Sequence, residues 1–155
     1  MNNEKLEQIH NYFPIDDHVA TAGQPTIDQF KTIKQAKFDL VINLALADSP
    51  NALTDEGELI RQLEMDYIHI PVDFKAPTLN DLDTFFSVID QHQNKRIFVH
   101  CALNWRVSAF IFLYKRIRQH VPSCDAISAM HAVWKPDDTW QRFIESALAH
   151  YQIQD

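Results

Sequence analysis

Apolar residues in this chain alternate between short continuous runs and longer stretches with helical spacing. The runs are 19–22, 38–46, 67–72 and 96–100, and their β-branched and aromatic content predicts strands. The stretch through Val41-Ile42-Asn43-Leu44 is apolar without in–out alternation, which predicts a parallel strand buried on both faces. Helices are predicted between the runs. Thr26 and Gln29 form a capping box ahead of a stripe at Ile27, Phe30 and Ile33. Thr54 begins a second helix, with Asp55 and Glu56 in its first turn and Leu59, Ile60 and Leu63 packing inward. Thr78 caps a third, with Leu79, Leu82, Phe85, Phe86 and Ile89 on one face. Residues 109–117 are apolar nearly all round, which predicts a helix at the centre of the domain. Pro122-Ser123 opens another (Ile127, Met130, Val133, Trp134), and Lys135-Pro136-Asp137 breaks it. Asp138 with Gln141 caps the last, whose stripe is Trp140, Phe143, Ile144, Ala147, Leu148 and Tyr151. Residues 3–12 are read as a short helix or turn closing one end.

Strands alternating with helices predict an α/β fold: one domain over residues 1–155, with a mostly parallel four- to five-stranded sheet flanked by helices. In such sheets sites lie beyond the carboxyl ends of the strands. The loops at 47–51, 73–77 and 101–106 all begin there, so Asp73 and Cys101 are expected to face one crevice. The strand 96–100 feeds a tight loop and then the central helix. Free N–H groups and the dipole at that helix N-terminus make an anion site. They also favour a thiolate, the nucleophilic form of cysteine. Cys101 at one end of the loop and Arg106 at the other are machinery for attacking a bound oxyanion such as a phosphate ester. Arg106 offers a planar fork for two oxygens, and the N–H groups of Ala102, Leu103, Asn104, Trp105 and Arg106 surround the same point.

His100-Cys101, four residues, then Arg106-Val107-Ser108 resembles the signature of cysteine-dependent protein tyrosine and dual-specificity phosphatases, in which five residues separate Cys and Arg. Either one residue is deleted here or Arg and its neighbour have changed places, since Ser108 keeps the family's offset from the cysteine. The family's loop glycine is absent, and Asn104 is the residue suited to supply its left-handed conformation. Val41-Ile42-Asn43-Leu44, and Ile70-Pro71-Val72-Asp73 with Pro77, resemble the strand and acid loop of dual-specificity phosphatases. Ala22-Gly23-Gln24-Pro25 is similar to the opening of a bacterial phosphatase-like subfamily.

The resemblance implies a phosphatase acting on phosphate monoesters through a phosphocysteine at Cys101. Asp73 is the implied general acid, with Asp48 or Asp137 as substitutes. Ser108 is implied to hydrogen-bond the departing thiolate, and His100 to order the loop from behind. Trp134, Asp137 and Gln141 are read as capping and core positions, and Cys124 as the packed cysteine.

Composition narrows the partners. A net charge of −7 argues against a nucleic-acid or anionic-membrane surface, so anion binding must be local. Two cysteines are too few for a disulfide framework and suit a reducing, cytoplasmic compartment. No run reaches the length of a membrane span. The eight histidines form no ligand pattern, so no metal and no cofactor is expected. The expected partner is a phosphorylated protein or a small phosphate ester. Loop length supplies a rival enzyme. The six residues 101–106 match the loop size of rhodanese-type sulfurtransferases, though without their Arg and Gly, and Asp73 has no task in sulfur transfer. A phosphate-binding module with little turnover is the rival outside the enzymes.

Overall fold

The computed structural model describes residues 5–154. Five strands, β1 (Phe13–Pro14), β2 (Val19–Ala22), β3 (Leu40–Asn43), β4 (Asp66–His69) and β5 (Ile97–His100), form one sheet in the order β1-β2-β5-β3-β4. Only β1 runs antiparallel. Six helices placed wholly among the described residues cover the sheet: α1 (Ile27–Gln35), α2 (Glu56–Gln62), α3 (Leu79–Gln91), α4 (Trp105–Ile117), α5 (Ser123–Val133) and α6 (Asp138–His150). The parallel α/β domain expected from the sequence is the fold observed.

Every residue of β3 and β5 is buried, as strands covered on both faces require. Helix α4 packs against one face of the sheet beside α3, α5 and α6. On the other face Phe30 and Ile33 of α1 and Ile60 of α2 join Leu6, Ile9, Phe38, Val41 and Phe98. The capping box at Thr26 is formed in both directions. Ala22, His100, Asn43 and His69 lie level in register across four parallel strands. The connections that follow them therefore start from one edge.

Several elements differ from the expectation. Of the 3–12 segment, residues 3 and 4 lie outside the described residues; the remainder is helical turn and turns, with Leu6 and Ile9 buried. The edge strand β1 was not expected. Pro14 has no N–H to give, which suits an edge. Strand β4 ends at His69, before Pro71, although the N–H groups of Ile70 and Val72 still bond Asn43 and Leu44. Helix α2 starts at Glu56 after a left-handed Asp55, two residues later than expected. Asp137, not Asp138, caps α6. Ile27, expected to face inward, is 52% exposed because it sits in the first turn, ahead of the buried face of α1. Helix α4 starts at Trp105, four residues earlier than the apolar run indicated.

Candidate active site

Asn104 takes φ 69° just before α4, the left-handed turn a glycine would have supplied. Its side chain explains why asparagine suffices. Fully buried, it donates from Nδ2 to the carbonyl of Asn11 at 2.9 Å and to Thr21 Oγ1 at 3.0 Å. The loop is thus fixed to the start of the chain and to β2.

The carbonyls of the loop are held from outside. The Cys101 carbonyl accepts from His100 Nδ1 at 3.1 Å. That of Ala102 accepts from the Gln24 N–H at 3.0 Å and Asn51 Nδ2 at 3.2 Å. That of Leu103 accepts from Asn11 Nδ2 at 2.9 Å. In a trans peptide the C=O and the following N–H point in opposite directions. With three successive carbonyls drawn outward, the N–H groups of Ala102, Leu103 and Asn104 turn the other way. No acceptor among the described residues takes them, and the first N–H groups of α4 follow on.

A cavity of about 120 Å³ lies over this loop, lined by Phe74, Cys101, Ala102, Leu103, Trp105 and Arg106. Larger depressions occur elsewhere, such as one of about 550 Å³ along Gln24–Asp28, Asn51 and Leu53. The smaller cavity is the candidate site because it alone among those described pairs a thiol with a guanidinium. Cys101 is fully buried at its floor, whereas Cys124, read as the packed cysteine, is exposed. Arg106 is 6% exposed and donates from Nη1 to the carbonyl of Val72 at 2.9 Å. The shortened loop therefore still brings Arg106 into the cavity of Cys101.

Asp73 follows Val72 directly and is exposed. Its Oδ1 accepts from the Lys75 N–H at 2.9 Å, which holds the carboxylate in a turn, and Asp73 is not among the residues that line the cavity. Phe74 provides the wall. Its ring lies 5.9 Å from Trp105, 5.8 Å from Trp134 and 5.8 Å from Trp140, and its carbonyl accepts from Trp140 Nε1 at 2.8 Å. Trp105 and Trp134 stack face to face at 5.0 Å. Trp134 thus contributes to the cage behind the site, while Asp137 caps α6 and Gln141 bonds the Pro136 carbonyl.

Ser108 is not brought to the thiol. Two helical positions after Arg106 amount to about 200° of rotation. Its hydroxyl donates to the Trp105 carbonyl at 3.0 Å, on the side of α4 that faces Phe13, Ile15 and Thr21.

One member of the site was not singled out in the sequence. Glu56, in the first turn of α2, is 5% exposed and its Oε2 lies 2.7 Å from Nε2 of the fully buried His100. Its Oε1 accepts from Gln24 Nε2 at 2.7 Å. Burial pushes the Glu56 carboxyl up, but hydrogen bonds and charge from His100, with Gln24 and Tyr67, outweigh it and hold the group below its ordinary value. Tyr67 is pushed up to about 12, chiefly by burial. The signal was a carboxylate at the start of a helix whose partner lies 44 residues away.

Comparison with known proteins identifies the family and the fold. A family profile described as "DSP-PTPase phosphatase fused to NAD+ Kinase" matches residues 10–145. The crystal structure of a DUF442 protein from Shewanella putrefaciens CN-32 is 35% identical, covers 96% of this chain and 97% of its own, and superposes with a TM-score of 0.85. PTPMT1 in complex with PI(5)P is 15% identical at a TM-score of 0.76, with 91% of this chain and 96% of that one covered. Tk-PTP in its active form is 16% identical at 0.74, with coverages of 88% and 95%. Curated proteins return no match. Among the described residues no helix is long and apolar enough to cross a membrane. A profile match across most of the chain, on a fold shared with these phosphatase-like structures, places the protein in the family of DSP-PTPase phosphatase domains typified by those fused to NAD+ kinase.

Proposed function

We propose that this protein is a cysteine-dependent phosphatase of the tyrosine/dual-specificity type that hydrolyses phosphate monoesters. The observation that carries the reading is the meeting of Cys101 and Arg106 in one cavity, over a loop whose Ala102, Leu103 and Asn104 N–H groups turn away from the carbonyls held outside it. The Cys101 thiolate attacks phosphorus. An S–P bond forms, the P–O bond to the leaving group breaks, and Asp73 gives its proton to the departing oxygen. Water then attacks the phosphocysteine, its proton passes to Asp73, and the thiolate leaves. The amides and Arg106 hold the equatorial oxygens in both steps. His100 orders the loop from behind. Ser108, bonded to the Trp105 carbonyl, is given no part in thiolate departure.

Phe74, Leu103 and Trp105 make the cavity walls apolar, which supports an ester with a flat or apolar group beside the phosphate, on a protein or a small molecule. PTPMT1, which shares the fold, is bound to PI(5)P in its complex, so a phosphoinositide belongs in the same trial. A free thiol at the floor suits a reducing, cytoplasmic setting.

The test is hydrolysis of p-nitrophenyl phosphate in EDTA, its inhibition by vanadate and its loss in Cys101→Ser. Sulfur transfer from thiosulfate to cyanide without phosphatase activity would favour the sulfurtransferase instead. The placement of the Asp73 carboxylate outside the cavity wall favours one second reading, a binding module with slow turnover. Tight phosphate binding with negligible hydrolysis of any ester would select it.

A further inference from the structure

Glu56 is 5% exposed and paired with the buried His100, and a buried ion pair is weak evidence of a purely stabilising role, since an apolar pair of similar volume is often as stable. Its surroundings show what it does there. His100 Nδ1 faces the Cys101 carbonyl, which only accepts, so Nδ1 carries a proton. Nε2 faces the Glu56 carboxylate, which accepts, so Nε2 carries a proton as well. The carboxylate thus fixes the tilt of the ring and supplies the negative charge that lets both nitrogens donate at once, to Glu56 and to the Cys101 carbonyl. The ring in turn holds the Cys101 carbonyl, and the trans peptide aims the Ala102 N–H into the cavity. The second carboxylate oxygen holds Gln24, whose own N–H pins the next carbonyl, that of Ala102. Two consecutive loop peptides are therefore set by one buried carboxylate from a different connection of the sheet.

We propose that Glu56 is a positioning residue of the anion site, acting through His100 and Gln24 on the Cys101 and Ala102 peptides; the proposal rests on the reading of the cavity as an oxyanion site. Its effect lies on the bound phosphoryl oxygens and not on the leaving group. Losing it should therefore weaken phosphate binding and slow every ester alike.

The experiment compares wild type with Glu56→Gln, which keeps the shape but not the charge. Inorganic phosphate is titrated by calorimetry, and kcat and KM are measured for p-nitrophenyl phosphate and an alkyl phosphate. The expected result is phosphate affinity reduced by about tenfold or more, the scale of a lost orienting partner, with a parallel fall in kcat/KM on both esters. Phosphate affinity equal to wild type in a folded Glu56→Gln protein overturns the proposal. A second measurement stands apart from folding of the variant and from activity: the ¹⁵N shifts of the His100 ring in wild type. A proton on Nδ1 is expected, and a bare Nδ1 overturns the relay. Failure of wild type to bind phosphate at all would instead remove the phosphatase reading, with the histidine spectrum still deciding whether Glu56 sets the ring.

Discussion

Arg106 donates from Nη1 to the carbonyl of Val72 at 2.9 Å, so the guanidinium lining the cavity also holds the residue next to Asp73. One side chain thereby links the 101–106 loop to the 73–77 loop. Arg106→Lys keeps the charge but lacks the fork that reaches both. It should raise KM and lower kcat together, with kcat down about 10²–10³, the cost of a missing transition-state donor. Steady-state kinetics on p-nitrophenyl phosphate check this, and an unchanged kcat would remove Arg106 from the transition state.

Asp73 should behave differently. It is exposed and its side chain accepts only from Lys75 among the described residues, so Asp73→Asn should fold normally. General acid catalysis is worth about 10²–10⁴ in rate. That loss should appear for an alkyl phosphate, whose leaving oxygen needs a proton, and be slight for p-nitrophenyl phosphate. Equal rates to wild type on both would make Asp73 a turn residue.

Glu56 links the site to acid stability. Its carboxyl titrates below its ordinary value of 4.5 in the folded protein. The unfolded chain therefore binds the proton first as pH falls. The stabilisation from the ionised form is complete above 4.5 and is lost progressively below it, through the lowered folded value. In Glu56→Gln the stability measured by urea unfolding should change less between pH 6 and about pH 3 than in wild type. Identical pH slopes would contradict it.

Gly23 is required by proximity. A Cβ there would lie 2.7 Å from the Ala102 carbonyl and 3.1 Å from the backbone oxygen of His10. Both are backbone atoms and neither can swing aside. Gly23→Ala should cost about 1–3 kcal/mol and should weaken phosphate binding as well, because the carbonyl it displaces orients the Leu103 N–H. Loss of stability with phosphate affinity intact would show that the loop tolerates the shift.

Much of the scaffold was readable because it rests on local patterns. The buried run at Val41-Ile42, the capping box at Thr26 and the stripe from Trp140 to Ala147 each declare their element within a few residues. The site was readable where an element junction implies chemistry, as at Cys101 before α4. Relations across long stretches of chain were not. Glu56 looks like an ordinary first-turn acid until the fold sets it against His100. Ser108 keeps a favourable spacing in sequence, yet the helix turns it away from the thiol. The start of α4 was obscured because Trp105-Arg106-Val107-Ser108 mixes polar and apolar residues, while its helical geometry follows from the turn at Asn104.

The hold on the loop from outside has a thermodynamic consequence. Asn11 reaches it across 92 residues and Asn51 across 51, and Asn104 is tied to β2 across 83. No contiguous segment contains what is needed to orient the amides, so an unfolded or half-assembled chain has no oxyanion site to offer. If the cavity takes phosphate as proposed, phosphate should bind the native state alone, and its affinity should be converted without discount into resistance to unfolding. At a hundred times the dissociation constant that amounts to about 2.7 kcal/mol, enough for a rise in melting temperature to serve as a ligand screen before any substrate is known.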